Sequence, residues 1–322
     1  MTDLKAYTLY VESELRKLNF PDVPTDLYEP LRYFLGLGGK RIRPTLTLLG
    51  AELFGSSKEQ AISQALGIEI FHNFTLVHDD IMDDAPLRRN QTSVHEKWNE
   101  NVGILTGDIM LIKAYQLLSQ IDEERLPKVL DLFNSTAIEV CEGQQHDMDF
   151  EDRNDVSIHE YIEMIRLKTS VLLGCALKMG AIVAGASKKD QDAIYAFGQH
   201  VGIAFQIQDD ILDLYADPEK FGKQVGGDVI ANKKTILHLT AISKATRAQM
   251  DFSTQLQNES NIELKISRTQ ELFNHLGVKE ECKERMQLHY TQAKEALAKI
   301  DVPEERKKCL LDLASYLMDR DI

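Results

Sequence analysis

The chain has 322 residues, 43% of them hydrophobic, with 8 Pro, 18 Gly and a formal net charge of -14. A chain of this length and composition can bury a substantial core, which excludes a disordered polymer and favours one large domain, 1–322. The acidity excludes a protein-wide basic surface for nucleic acid, so any anionic phosphate must be held by local Lys/Arg clusters or by cations.

Helical periodicity dominates in chain order. Leu4, Tyr7, Val11 and Leu15 recur at helical spacing, and Pro21 and Pro24 end that first helix. Further helices are predicted over about 27–36, 43–54, 58–84, 100–120, 125–146, 157–184, 188–215 and 232–246. Leu264, Ile266 and Leu272, then Met286, Ala293 and Ala296, predict more amphipathic helices in the last third. There is no convincing strand alternation and no Asn-Gly hairpin signal, so the predicted fold class is all-α. Helix breakers cluster at Leu37-Gly-Gly-Lys40, Asp84-Ala-Pro-Leu87 and Asp217-Pro-Glu-Lys-Phe-Gly222, none of them long enough to be an interdomain linker.

Cys141, Cys175, Cys282 and Cys309 lie far apart, without zinc-ligand spacing, and read as reduced thiols. The first residues lack a charged-then-apolar leader pattern, and no apolar run approaches the roughly 18 residues of a membrane span. The expectation is a cytoplasmic protein without stable membrane insertion.

The predicted helices 58–84 and 188–215 are apolar on several faces, as central helices should be. Each ends in the pattern D-D-x-x-D: Asp79-Asp80-Ile-Met-Asp83 and Asp209-Asp210-Ile-Leu-Asp213. Positions i and i+4 share a helix face, so Asp79 with Asp83, and Asp209 with Asp213, can aim at one point. Like charges at that spacing repel, and the negative end of the helix dipole adds to the cost. Cations remove it. Carboxylate oxygens suit Mg²⁺, which keeps waters and is shared between a few carboxylates and substrate phosphates.

Basic residues stand out against this background. Lys40 and Arg43 are neighbours on one helical face behind Gly38-Gly39, a pair that allows close approach of backbone to phosphate or simply makes a turn. Arg88-Arg89 follows the first aspartate motif, and Lys168-Thr169 interrupts an apolar helix. Lys223 and Lys233 follow the second motif, while Arg41 and Lys234 read as solvated neighbours. Arg offers bidentate contacts to phosphate and Lys a point charge; with Mg²⁺ they can stabilise a departing diphosphate. No P-loop and no G-x-G-x-x-G after a strand supports nucleotide binding.

In this order, Gly-Gly-Lys-x-x-Arg, D-D-x-x-D with Arg-Arg, Lys-Thr, Gln-x-x-D-D-x-x-D and two later lysines resemble the trans-prenyltransferases, the isoprenyl diphosphate synthases, from about Leu37 to Thr235. The resemblance implies an all-α bundle around a central active-site cavity, usually a homodimer. It implies Mg²⁺ ligation by Asp79, Asp83 and Asp209, with about three ions per site, supported by Asp80, Asp210, Asp213, Gln144 and Asp147. Arg88, Lys168, Lys223 and Lys233 would hold the allylic diphosphate, and Lys40, Arg43, His72 and Arg89 isopentenyl diphosphate. Thr169 and Gln206 would place oxygens near the allylic cation. The implied activity joins isopentenyl diphosphate to dimethylallyl, geranyl or farnesyl diphosphate. Product length follows from residues one to three turns before Asp79, at about 1.5 Å rise each: Thr75, Phe74, Phe71 and Ile68. An aromatic at the position of Phe74 accompanies short products in the resembling family, and the first motif lacks the two-residue insertion of many bacterial C15 synthases. Geranylgeranyl diphosphate (C20) is the expected product, with farnesyl diphosphate (C15) and then longer chains as alternatives. A class I terpene cyclase would normally need only one D-D-x-x-D and no isopentenyl site. A non-catalytic partner subunit would tolerate losses among these residues, and none is lost here.

Overall fold

Local side-chain chemistry marks where the helices begin. Ser57 and Gln60 form a capping box at the start of α4 (Lys58–Met82), and Ser157 with Glu160 does the same for α8 (Ile158–Ile165). The Asn99 side chain accepts from the Val102 amide to cap α6 (Glu100–Leu118). In the computed structural model, residues 2–216 and 225–318 are described. The remaining early helices are α1 (Thr2–Leu15), α2 (Thr25–Gly36), α3 (Ile42–Leu53), α5 (Val94–Lys97), α7 (Leu126–Asp152), α9 (Val171–Val183) and α10 (Lys188–Tyr215). Later helices span Gly227–Ile230, Ile236–Lys244, Arg247–Gln257, Ile262–His275, Val278–Ala298 and Glu304–Met318. No described helix is long and apolar enough to cross a membrane.

The chain divides into two compact units. One comprises residues 1–134, 175–194 and 301–309; the other 135–174, 195–300 and 310–322. In the first, α4 packs along α6 and α3, and its buried positions Ala65, Ile68, Ile70 and Phe71 fall on more than one face. Small residues let α3 and the C-terminal half of α9 touch: a Cβ on Gly180 would stand 2.1 Å from the Thr47 carbonyl oxygen. The second unit has a core of Ile203, Ile207 and Ile211 from α10, Met164 and Ile165 from α8, and Ile236, Leu272 and Phe273 from later helices.

The all-α expectation holds, with instructive departures. Leu87–Arg88 and Gln91–Thr92 form a small antiparallel hairpin, β1–β2. Its two turn residues, Arg89 and Asn90, both take positive φ (54° and 61°), the geometry usually supplied by Asn-Gly. Helix α7 continues past the expected end at 146 to Asp152. The helix expected over 157–184 contains a π-helical turn, Arg166–Ser170, between α8 and α9. That wide turn is seated between two glycines: a Cβ on Gly143 would lie 2.2 Å from the Lys168 amide nitrogen, and one on Gly202 2.7 Å from Ser170.

Candidate active site

In the first unit, Asp79 and Asp80 occupy the last turn of α4 and Asp83 is its C-cap. Asp79 is half-buried and Asp83 exposed, whereas the Asp80 side chain is fully buried. Arg88 donates from Nε to Asp80 Oδ1 at 2.8 Å, and its Nη2 makes a second contact to the same oxygen. Burial pushes the Asp80 carboxyl up despite this guanidinium, and Asp83 adds to the push. Asp80 Oδ2 is buried with no hydrogen-bond partner.

The neighbouring residue of the hairpin reaches the other way. Arg89 donates from Nη1 to the Gly38 carbonyl. Its guanidinium lies over Gly39, where a Cβ would stand 3.0 Å from Cζ. Gly38 and Gly39 have φ of 77° and 144°, so the backbone favours glycine at both, and a Cβ at Gly39 would also crowd the Arg89 guanidinium. Adjacent arginines thus tie the aspartate motif to the Gly-Gly loop.

Arg43 donates from Nη1 to His72 Nε2 at 3.0 Å, which assigns the imidazole proton to Nδ1. Burial holds His72 well below its ordinary pKa, and the positive charges of Arg43, Arg89, Arg88 and Arg41 lower it further. Burial also pulls Arg43 down, to about 10. This strongly positive cluster favours an anion. Lys40 is exposed beside it on the Gly-Gly loop.

Arg41 corrects the sequence reading. It is 2% exposed, not solvated, and its guanidinium bonds Glu12 and Glu69 at 2.6 Å each. Its role is to anchor the turn before α3. Neither Glu12 nor Glu69 could be named from sequence, because their partner comes from a distant helix.

Below the motif, Thr75 donates to the His72 carbonyl at 2.9 Å. Phe74 is half-buried and stacks edge-on against His78 at 4.8 Å, while Phe71 is 1% exposed and packs against Phe133 at 4.9 Å.

In the second unit, Asp209, Asp210 and Asp213 lie in the last two turns of α10. Asp210 is buried and accepts from the Tyr161 hydroxyl at 2.5 Å and from Gln206 Nε2 at 3.2 Å. Burial, with the charge of Asp228, raises its pKa to about 7. Asp213 Oδ2 accepts from the Asp228 amide at 3.0 Å, and Asp209 is half-buried. Lys233 approaches Asp228 at 3.9 Å. On the π-helical turn, Lys168 donates to Asp147 Oδ2 of α7 at 2.5 Å; Thr169 follows it, and Gln144 lies on the same helix as Asp147. Lys223 lies outside the described residues.

Lys234 is a second correction. Its Nζ donates to the Phe150 and Glu151 carbonyls at 2.7 and 2.8 Å, so it anchors the end of α7 instead of standing in solvent. Tyr161 and Asp228 carried no sequence signal of their own, although Gly226-Gly227-Asp228 marks a tight turn.

The donor chemistry fits hard cations. Both helix ends present only oxygens, burial raises the pKa of one acid in each motif, and Asp80 keeps a buried oxygen without a proton donor.

The polyprenyl synthetase family profile matches residues 24–273. The chain belongs to the polyprenyl synthetase family. It is 37% identical over 322 residues to a geranylgeranyl diphosphate synthase of Methanosarcina mazei, covering 99% of this chain and 97% of the relative. A geranylfarnesyl diphosphate synthase of Natronomonas pharaonis is 36% identical, covering 92% of this chain and 91% of its own. A crystal structure of a geranylgeranyl pyrophosphate synthase superimposes with a TM-score of 0.92 at 44% identity, covering 99% of both chains. These polyprenyl synthetases share the all-α fold.

Proposed function

We propose that this chain is a Mg²⁺-dependent prenyltransferase that condenses isopentenyl diphosphate with allylic diphosphates to make geranylgeranyl diphosphate. The observation that carries the reading is the pair Arg88–Asp80 and Arg89–Gly38. Two adjacent residues of one hairpin join an acidic motif to a positive, glycine-floored loop. A metal-bound diphosphate and a second diphosphate need those two environments side by side.

Asp79 and Asp83 in the first unit, and Asp209 in the second, would hold Mg²⁺, about three ions in all, with Asp80 supporting the former and Asp210, Asp213, Gln144 and Asp147 the latter. When bound, the ions neutralise diphosphate charge as it grows on the leaving group. Arg88, Lys168, Lys223 and Lys233 hold the allylic diphosphate and stabilise the same charge. Asp80 and Asp147 keep Arg88 and Lys168 oriented until substrate arrives. Arg43, Arg89, Lys40 and neutral His72 position isopentenyl diphosphate. Thr169 and Gln206 place oxygens toward the allylic carbon; Gln206 spends its amide on Asp210, which leaves Oε1 for that task. The allylic carbon–oxygen bond breaks, the isopentenyl double bond attacks the resulting cation, and a proton leaves to the departed diphosphate. No protein nucleophile is required; position and electrostatics carry the reaction.

Several relatives named geranylgeranyl synthases support the C20 product. Phe74 serves as the floor of the chain channel, beside Thr75 and backed by Phe71. The chain works as one domain, 1–322, and as a homodimer in the cytoplasm. Replacing Asp79 or Asp209 by Ala, with EDTA treatment of the native enzyme, tests the metal role: each should lower kcat/KM by about 10²–10³. Retention of full activity in both variants would reject it.

A further inference from the structure

A separate cluster lies at the neck of the β1–β2 hairpin in the first unit. Asp84, just past α4, and His95 and Glu96 of α5 bring one ligand atom each within 4.8 Å of one another. His95 Nε2 stands 3.9 Å from Asp84 Oδ1 and 3.8 Å from Glu96 Oε1. Those separations are too long for hydrogen bonds. His95 is only 8% exposed, and neither of its ring nitrogens has a hydrogen-bond partner. A buried imidazole aimed at two carboxylates without touching either leaves room for an atom between them.

We infer that Asp84, His95 and Glu96 form a binding site for a divalent transition cation of the Zn²⁺ type. The donor set decides the class. An imidazole nitrogen with two carboxylates suits Zn²⁺ and its first-row neighbours, whereas Mg²⁺ takes oxygens. Bonds of about 2 Å to each ligand at near-tetrahedral angles place ligand atoms roughly 3.3 Å apart, so the carboxylates must close on His95 by about half an ångström and on each other by up to about 1.5 Å. They can: the Asp84 side chain is 96% exposed and that of Glu96 49%. His95 is the fixed ligand, held with its Cβ beside Gly103 of α6.

The site clips the two ends of the hairpin, which is already closed by the Ser93 amide donating to the Pro86 carbonyl at 3.1 Å. Between those ends lie Arg88 and Arg89. On the prenyl-transfer reading above, the cation therefore steadies both diphosphate-binding arginines without touching substrate.

The test uses the full-length protein labelled with ¹⁵N-histidine, with the His95 imidazole signals assigned by their loss in His95→Gln. One equivalent of Zn²⁺ should move the His95 nitrogen resonances, and excess Mg²⁺ should not. The double variant Asp84→Asn/Glu96→Gln, altered only at exposed positions, should weaken the Zn²⁺ response of His95 by about tenfold or more. Unmoved His95 signals in the wild type, or an undiminished response in the double variant, would overturn the site. The readout is independent of activity, so either result leaves the prenyl-transfer proposal standing.

Discussion

Arg41 and Glu69 meet at 2.6 Å with both side chains almost wholly out of water. Arg41 also reaches Glu12 and the Leu35 carbonyl, and Asn73 donates to Glu69 Oε1 at 3.1 Å. Arg41 itself sits at φ 48°, so this network fixes a left-handed residue between the Gly-Gly loop and α3. Glu69→Ala would leave the buried Arg41 guanidinium with only its half-buried partner Glu12 and should cost about 3 kcal/mol in denaturant unfolding. Glu12→Ala, at the more exposed end, should cost only about 1 kcal/mol.

Gly39→Ala tests the loop directly. A Cβ there meets the Arg89 guanidinium and is strained at φ 144°. We expect KM for isopentenyl diphosphate to rise about tenfold or more, with little change for the allylic substrate. Gly36→Ala is the control: nothing lies within 4 Å of the added carbon, and steady-state parameters should be unchanged.

Tyr161→Phe removes a donor that stabilises ionised Asp210. Burial, partly offset by the Tyr161 hydrogen bond, leaves that carboxyl at about 7. Its pKa should therefore climb further, and if the proposed Mg²⁺-dependent activity uses the Asp210 carboxylate, its acid limb should move to higher pH. The expected result is a several-fold deficit at pH 7 that narrows by pH 8.5. A pH–rate profile superimposable on that of the wild type would contradict the assignment.

His200 and His289 face each other with their Nδ1 atoms 3.2 Å apart. Burial, then the charge of His200, lowers His289 to about 4, and burial lowers His200. The unfolded chain binds protons to these rings near 6.5, before the folded protein does. Their contribution to stability is thus complete above about pH 6.5 and falls as pH drops toward 4. Thermal unfolding of His289→Gln should lose less stability across that window than the wild type.

Much of the candidate site is legible in the sequence because its signals are local. Two D-D-x-x-D motifs at helix ends, a double glycine and a lysine in an apolar run need no tertiary knowledge. What was hidden depends on partners far along the chain. Arg41 and Lys234 look like surface charges until Glu69 and the end of α7 arrive beside them. The hairpin escaped because Arg89-Asn90 adopts a turn geometry without glycine. The π-helical turn carrying Lys168 owes its place to Gly143 and Gly202, whose role as contact surfaces does not show in the residues they touch.

The most direct measurement supplies purified enzyme with isopentenyl diphosphate, Mg²⁺ and dimethylallyl, geranyl or farnesyl diphosphate, then resolves products by chain length. The expected result is EDTA-sensitive accumulation of the C20 diphosphate from each starter, and a shift to longer chains in Phe74→Ala. Failure of intact, folded protein to extend any starter would contradict prenyl transfer itself. A native product that stops at C15 or runs past C20 would contradict the Phe74 floor.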